Sequence, residues 1–316
     1  MRRKLFFTTL LISLAISIYA QYVPDVLGDG YLRRTFQMPD DYEGKVVCTL
    51  VKKPRLTDVK QAVLDIHGYN DYFFQKQLGD SVNAHGYNFY AMDLRKYGRS
   101  ILPNQNPFFC KSLTEYFADI DTALATIRSE GNDKILLMAH STGGLITPLY
   151  LDSKKGDLSL DGLILHSPFL DWNFGWFMEK VAIPAVAFVG RLFPNLTVQG
   201  YGIASYAHSL LKQFKGEWEY DTNWKMINAH PKKAGWIKAS QEGQQKVRKG
   251  LKLDCPILVM SSNRSYPETE EWHNEYLSSD IVLNVHDIQK YAPKLGNYVT
   301  RDTIVGGIHD LILSEK

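Results

Sequence analysis

Cysteine is scarce in this 316-residue sequence, which has only Cys48, Cys110 and Cys255, far apart along the chain. No two of them have the close spacing of zinc ligands, and three cysteines are too few for a disulfide scaffold. The sequence also lacks a glycine-rich phosphate loop and a dinucleotide-binding fingerprint. We therefore expect no metal and no cofactor, and at least one cysteine is left without a disulfide partner.

Net charge is nearly absent as well, because 36 Lys and Arg against 34 Asp and Glu leave +2. A chain with this balance has no electrostatic footprint for nucleic acid, and we expect no such partner. Its hydrophobic content of 45% is ordinary for a globular protein and excludes wholesale disorder. A chain of this length can build one large α/β domain or two small ones.

The uncharged N-terminal stretch, residues 5–18, is shorter than the roughly 20 apolar residues that a membrane-spanning helix needs. It follows three cations at positions 2–4 and precedes Ala20, which is the arrangement of a cleavable secretory signal. The alternative is a retained membrane anchor. We expect residues 1–20 to be a signal peptide and the mature chain to be exported, periplasmic or secreted, with no stable membrane span.

Short apolar runs bounded by turns predict a mostly parallel sheet whose strands are buried on both faces. The predicted strands are residues 31–37, 46–52, 62–66, 89–92, 135–139, 163–165, 256–260 and 303–305, the first two forming an antiparallel pair. Apolar positions recur at helical spacing from Leu113 to Ile127, and Ser112 with Glu115 makes a capping box. This alternation of strands and helices predicts an α/β fold with right-handed crossovers.

Residues 171–250 interrupt the alternation and contain no clear buried strand. We predict that they form a helical cap inserted between two parts of an α/β core, residues 21–170 and 251–316. Five of the six tryptophans lie in this insertion: Trp172, Trp176, Trp218, Trp224 and Trp236. They either line an apolar substrate cleft or bury the small subdomain itself, and the sequence leaves both possibilities open.

The sequence Ala139 to Gly144 follows a buried strand and opens a helix, which is the pattern of a nucleophile elbow with alanine in place of the first glycine. The residues two before and two after the central serine must be small, and Ala139 and Gly143 meet that need. Ser141 would then project at the C-terminal edge of the sheet, where open α/β folds bind ligands. We expect Ser141 to be a nucleophile, the alternative being a helix N-cap.

Acyl transfer also needs donors for an oxyanion and a general base. The backbone N–H groups of Thr142, which starts the helix, and Tyr69, in the turn after residues 62–66, are the expected donors. His309 follows the last predicted strand and lies seven residues before Lys316, so it is the expected base. His140 adjoins the nucleophile and is expected to pack inside the elbow, and His166 ends a strand but precedes any plausible acid.

The elbow, the turn His67–Tyr69, the segment Asp93–Ser100 and the terminal His309–Asp310 together resemble an α/β-hydrolase. The resemblance covers nearly all of residues 30–316, and the nearest branch is that of monoacylglycerol lipase-like and serine aminopeptidase-like proteins. It implies a mostly parallel sheet flanked by helices, with an inserted helical cap. This branch is similar to esterases, lysophospholipases and peptidases alike. The resemblance implies that Asp93–Ser100 supports the active site, and we interpret it as a structural turn.

The segment around Asp280 resembles the acid loop of this family, in which two small residues precede the aspartate and an apolar residue follows. We therefore predict Asp280 as the acid that orients His309, with Glu268 and Asp287 as alternatives. Helices are predicted on either side, over residues 268–277 and 285–292.

The leading functional hypothesis is a serine hydrolase of small-molecule carboxylic esters, lipid-like or acyl, that works through an acyl-enzyme. A serine aminopeptidase is the alternative within hydrolases, and Glu217, Glu219 and Asp221 form an acidic cluster that could bind its substrate's ammonium group. A non-catalytic ligand-binding protein on the same scaffold is the alternative from another class.

Overall fold

The computed structural model describes residues 21–155 and 160–315. The predicted signal peptide, residues 1–20, lies outside the described residues. None of the helices within these two ranges combines the length and the hydropathy that crossing a membrane requires.

Nine strands of the described chain form one sheet in the order β1-β2-β3-β5-β4-β6-β7-β10-β11, and β8 pairs with β9 separately. The strands are β1 (Val23–Pro24), β2 (Leu32–Asp41), β3 (Gly44–Lys52), β4 (Gln61–Ile66), β5 (Asn88–Asp93), β6 (Lys134–His140), β7 (Gly162–His166), β8 (Thr197–Gln199), β9 (Lys232–Lys233), β10 (Ile257–Ser262) and β11 (Val299–Ile304).

Three pairs are antiparallel: β1 with β2, β2 with β3, and β3 with β5. Phe36 in β2 lies opposite Cys48 in β3, so the predicted opening pair is confirmed. All other pairs in the main sheet are parallel. Every residue of β5 and all but one of β4 are buried, because helices cover both faces of the sheet. The predicted fold class, an α/β-hydrolase sheet flanked by helices, is confirmed.

Seven α-helices surround the sheet or lie in the predicted cap: α1 (Lys76–Ala84), α2 (Phe117–Ser129), α3 (Gly143–Ser153), α4 (Ile183–Leu192), α5 (Ser205–Leu210), α6 (Ala234–Lys249) and α7 (Val285–Tyr291), counted over the described ranges. The predicted capping box is present. The Ser112 hydroxyl accepts the backbone N–H of Thr114, and the Glu115 carboxylate accepts the backbone N–H of Ser112. The box opens a 3₁₀ turn that runs into α2.

The chain leaves the main sheet after β7 and returns at β10, and α4, α5, α6 and the β8–β9 pair lie between. A π-helical turn, Met178–Ala182, leads into α4. α4 packs on α6 at Gly190, where a side chain would collide with the carbonyl of Ala234. α6 in turn packs on the core, because Gly243 lies against Leu113 and Leu149. The insertion is therefore packed against α3.

Two predictions about secondary structure are wrong. The last strand spans Val299–Ile304 rather than residues 303–305, and its middle four side chains are exposed at the edge of the sheet. Residues 268–277 form no α-helix and only a 3₁₀ turn at Asn274–Leu277. There the buried Tyr276 accepts the backbone N–H of Thr269 at 2.9 Å, so a side chain rather than a helical backbone organises the segment.

Candidate active site

Ser141 stands at a sharp turn between β6 and α3, with a φ of 48° that is unusual for a residue other than glycine. A side chain at Gly143 would approach the carbonyl of His67 to 2.5 Å, and Ala139 is fully buried. The close approach of α3 to the end of β4 therefore requires glycine at position 143, and Ala139 lies in the packed interior. This is the geometry that the elbow pattern predicts.

Three predicted side chains meet at this turn. His309 Nε2 lies 3.0 Å from Ser141 Oγ, and His309 Nδ1 lies 3.0 Å from Asp280 Oδ2. His309 comes from the segment after β11, and Asp280 from the segment between β10 and α7. The structure thus places serine, imidazole and carboxylate in one hydrogen-bonded chain.

Asp280 is fully buried, and its other carboxylate oxygen accepts the backbone N–H groups of Val282 and Leu283 at 2.9 and 2.8 Å. These bonds fix the carboxylate toward His309. Glu268 instead accepts the N–H of Tyr206 at 3.1 Å, and Asp287 faces Lys290 in the first turn of α7. Within the described ranges, neither alternative is hydrogen-bonded to His309.

The two expected oxyanion donors flank the serine. Thr142 is the N-cap of α3, and Gly68, next to Tyr69, is so close that a Cβ there would lie 2.9 Å from the Cβ of Ser141. Neither the Thr142 nor the Tyr69 amide N–H has a hydrogen-bond acceptor among the residues that the structure describes. Both N–H groups are thus available beside the serine.

Beneath the serine lies a buried cluster of side chains that was not predicted from the sequence. The ring of His140 stacks on His166 at 4.6 Å and tilts against His309 at 4.8 Å. Burial lowers the pKa of His166 to about 3 and holds the pKa of His140 well below its usual range, so both rings are neutral. Burial, reinforced by the Asp71 carboxylate, raises the pKa of Asp310 to about 6.

His140, His166 and Asp310 have possible metal-ligand atoms within 4.8 Å of one another, the one such group in the described chain. The lone pair of an imidazole nitrogen lies in the plane of its ring. Two rings stacked at an interplanar angle of 22° therefore cannot both aim at an ion held between them. The stacking favours a packing role for these side chains.

A loop of the cap is bound to the two residues that follow Tyr69 by hydrogen bonds and an ion pair. The side-chain amide of Asn70 donates to the carbonyl of Met226 and accepts its N–H, both at 2.8 Å. Next along the chain, Asp71 Oδ1 lies 2.7 Å from Lys225 Nζ, and both side chains are buried. We call these three contacts the latch. Sequence reasoning missed it because its partners lie about 155 positions apart.

A cavity of about 940 Å³ extends from Ser141 and His309 into the cap. Its walls are largely aromatic and aliphatic. Trp172 and Trp236 line it, whereas Trp176 is exposed, Trp218 donates to the carbonyl of Leu313, and Trp224 packs on Tyr72. The cleft interpretation therefore holds for two of the five tryptophans, and the packing interpretation for two others.

The acidic cluster is not part of this cavity. Glu217, Glu219 and Asp221 are exposed, and none of them is among the described residues that line it. The suggestion that they bind a substrate ammonium group is therefore wrong, since the chain places them on the outer surface.

The Asp93–Ser100 segment is a hydrogen-bonded structural turn, as predicted. Asp93 accepts the backbone N–H groups of Phe73 and Arg99 at 3.0 and 2.9 Å. The Arg99 guanidinium donates to Asp93 and Asp25. These buried contacts hold the turn that follows β5 against the segment that precedes α1.

The sheet, the elbow and the cap define an α/β-hydrolase. Residues 57–265, more than half of the chain, match the sequence model of the serine aminopeptidase family S33, and the chain belongs to that family. No curated protein matches the sequence.

Solved structures share the fold. A soluble variant of monoglyceride lipase from Saccharomyces cerevisiae is 16% identical with a TM-score of 0.64, covering 89% of both chains. Monoacylglycerol lipase from Paleococcus ferrophilus is 16% identical with a TM-score of 0.57, covering 90% of this chain and 93% of that one. A putative aryl esterase from Burkholderia cenocepacia is 15% identical with a TM-score of 0.51, covering 89% and 93%. Identities this low demonstrate a common fold alone.

Proposed function

We propose that the protein is a serine hydrolase of carboxylic esters that forms an acyl-enzyme on Ser141. The hydrogen-bonded chain Ser141–His309–Asp280 at the elbow carries this proposal. His309 Nε2 takes the proton from Ser141 Oγ as the oxygen attacks the acyl carbon. The Asp280 carboxylate, bonded to Nδ1, holds the tautomer and stabilises the imidazolium.

The negative charge of the tetrahedral intermediate develops on the former carbonyl oxygen. In this mechanism the amide N–H groups of Tyr69 and Thr142 donate to it, and each such donor typically contributes about 10²–10³ in rate. The imidazolium then gives its proton to the leaving alkoxide. Water, deprotonated by His309, attacks the acyl-serine and releases the acid.

The neutral state of His140 supports this proton transfer. Its ring is in contact with His309, and a positive charge there would oppose the imidazolium that forms during each turnover. Burial keeps His140 uncharged, so His309 can become protonated without a neighbouring like charge.

The cavity favours substrates with a sizeable apolar acyl or aryl group. Trp172, Trp236, Phe169 and Ile183 contribute to its apolar wall, and its volume of about 940 Å³ is at the upper end of the range of small-molecule sites, roughly 300–1,000 Å³. Lysophospholipid-like and acylglycerol-like esters fit this description, since each joins an apolar chain to a polar alcohol.

A serine aminopeptidase is the second candidate, because the matching family model is of that class. Its substrate ammonium would need a carboxylate inside the cavity. Of the lining carboxylates, Asp71 is already paired with Lys225, which leaves Glu268. Nitrophenyl esters of short acids and nitroanilides of amino acids, compared on one preparation, distinguish the two candidates.

Covalent labelling tests the nucleophile. A fluorophosphonate probe is expected to label the folded protein at Ser141 and to fail with Ser141→Ala and with urea-unfolded protein. Ser167→Ala is the matched control, because Ser167 is also buried, directly follows a strand and has a positive φ of 47°. Absence of labelling on the folded protein refutes the proposal and favours a non-catalytic binding protein. Unchanged labelling of Ser141→Ala also refutes it, because another residue would then be the nucleophile.

We also propose that the protein is exported after cleavage behind Ala20. The support is the charged start, the apolar stretch and the small residue at the cleavage position. Intact-mass measurement of the purified protein should give a chain that begins at Gln21. A chain that begins at Met1 contradicts export by cleavage.

A further inference from the structure

The outer surface of the cap concentrates exposed apolar side chains. Of the seventeen large hydrophobic residues that are exposed in the described chain, eleven lie between Phe174 and Ile203. We call these eleven the apolar cap face: Phe174, Trp176, Phe177, Met178, Val181, Phe188, Leu192, Phe193, Leu196, Tyr201 and Ile203. Only three charged residues, Glu179, Lys180 and Arg191, occur in the same segment.

Helix α4 is apolar on two opposite sides. Its inner side, with Ile183, Ala187 and Gly190, is buried and packs on α6. Its outer side exposes Phe188 and Leu192, which are one turn apart. A helix that is apolar all round is normally covered all round. Exposed apolar patches of this kind mark an interaction surface.

The apolar cap face is continuous with the substrate cavity. Phe174, Met178 and Ile203 belong to the face and also line the cavity. A second copy of the chain seated on the face would cover these entrance residues. A lipid surface would instead place apolar chains against them.

We propose that the apolar cap face docks on the surface of a lipid bilayer, with its aromatic rings at the headgroup level. Tryptophan, tyrosine and phenylalanine are the side chains that suit this interface. Lys180 and Arg191 are exposed in the same segment, and long cationic side chains of this kind reach lipid phosphates; Arg191 also lies 3.6 Å from Glu242 of α6. Delivery of an amphiphilic ester to the cavity rests on the proposed hydrolase function, whereas docking itself does not.

Flotation with vesicles tests the docking. The purified protein is mixed with vesicles of phosphatidylcholine alone, or of equal parts phosphatidylcholine and phosphatidylglycerol, and flotation with either supports docking. The test variant combines Trp176→Gln, Phe177→Gln, Phe188→Gln and Leu192→Gln, which replace side chains 71%, 63%, 65% and 69% exposed. None of the four is among the described residues lining the cavity. We expect the partition coefficient to fall at least about a hundredfold, because four large side chains no longer enter the interface.

A matched control carries Tyr298→Gln and Val305→Gln, which are 65% and 84% exposed beside β11. We expect it to partition like the unmodified protein, because these positions lie outside the face. Equal loss in both variants contradicts the proposal.

Three other results overturn the proposal. The unmodified protein does not float with either vesicle. The four-site variant floats as well as the unmodified protein, which assigns membrane binding to another part of the chain, such as a retained N-terminal stretch. The unmodified protein self-associates through the face without floating, which assigns the face to a second copy. Flotation requires no turnover, so its failure and the failure of active-site labelling are separate results.

Discussion

The core and the cap of this hydrolase distribute polar and apolar groups in opposite ways. In the core, charged side chains are buried and paired: Arg95 with Asp119, and Arg99 with Asp25 and Asp93. In the cap, large apolar side chains lie on the surface. Buried charges are tolerated where a partner offsets their desolvation, and in the core these partners belong to the core itself. The outer cap has no covering among the described residues, and this is what the docking proposal explains.

The latch joins the two regions. Lys225 and Met226 belong to the predicted cap, and Asn70 and Asp71 directly follow the expected oxyanion donor Tyr69. Displacement of the cap loop would therefore act first on the oxyanion turn. Under the proposed function, the core carries the chemistry, the cap admits the substrate, and these contacts couple the two regions.

The largest expected effect comes from a substitution confined to the core. Asp280→Asn should keep the fold and lower kcat on a short nitrophenyl ester by roughly 10⁴, because the amide no longer fixes the imidazole tautomer. Asp287→Asn, in the first turn of α7 and 3.8 Å from Lys290, is the control and should turn over normally. Near-normal turnover of Asp280→Asn with collapse of Asp287→Asn or Glu268→Gln would move the acid role to one of those residues.

Breaking the latch should have the next largest effect. Lys225→Met leaves the Asp71 carboxylate buried without its cation, and we expect a loss of about 3–5 kcal/mol in the free energy of unfolding by urea. The double variant Asp71→Asn, Lys225→Met should recover most of this loss, because no uncompensated charge remains. Additive losses in the double variant would show that the two charges do not act as a pair.

Acid sensitivity should come from the core rather than from the cap. His166 has a pKa of about 3 when folded, against about 6.5 when unfolded, so the unfolded chain binds the extra proton between these pH values. Its contribution to stability is therefore lost as pH falls below about 6.5, amounting to about 2 kcal/mol at pH 5. The raised pKa of Asp310 acts in the opposite direction between about 6 and its unfolded value.

Urea unfolding at several pH values isolates this contribution. The difference in unfolding free energy between the wild type and His166→Asn should shrink as pH falls from 7 to 5, whatever the substitution costs in packing. Parallel pH profiles for the two proteins would show that His166 is not held neutral by the fold.

The smallest expected effect concerns the exposed acidic cluster. Glu219→Gln should change stability by less than about 0.5 kcal/mol and leave kcat/KM on esters and amino-acid nitroanilides unchanged, since the side chain is exposed and away from the cavity. A tenfold loss of kcat/KM on nitroanilides alone would show that this cluster binds peptide substrates. It would contradict the conclusion that the cluster lies outside the substrate cavity.

Sequence patterns predicted the central strands and the elbow because local constraints dominate there. The strand before Ser141 is apolar since both of its faces are covered, and Gly143 lacks a side chain since α3 touches the end of β4. Asp280 was predictable because its loop carries a recognisable order of residues. In each of these cases the pattern that predicts the residue lies within a few positions of it in the sequence.

Features that depend on distant contacts could not be predicted. β11 has a polar sequence because it is an edge strand, so no apolar run marks its start. Residues 268–277 have a helical composition, but the side chain of Tyr276 organises them instead. The stack of His140 on His166 and the latch join elements far apart in the chain.

The most direct test of the central claim is to trap the acyl-enzyme. The protein is mixed with p-nitrophenyl trimethylacetate, a slowly deacylating ester, quenched in acid, and measured by intact mass and peptide mapping. The account predicts a mass gain of one trimethylacetyl group on the peptide containing Ser141, and no gain in Ser141→Ala. Hydrolysis of the ester with no acylated protein, or with the acyl group on another residue, would contradict it.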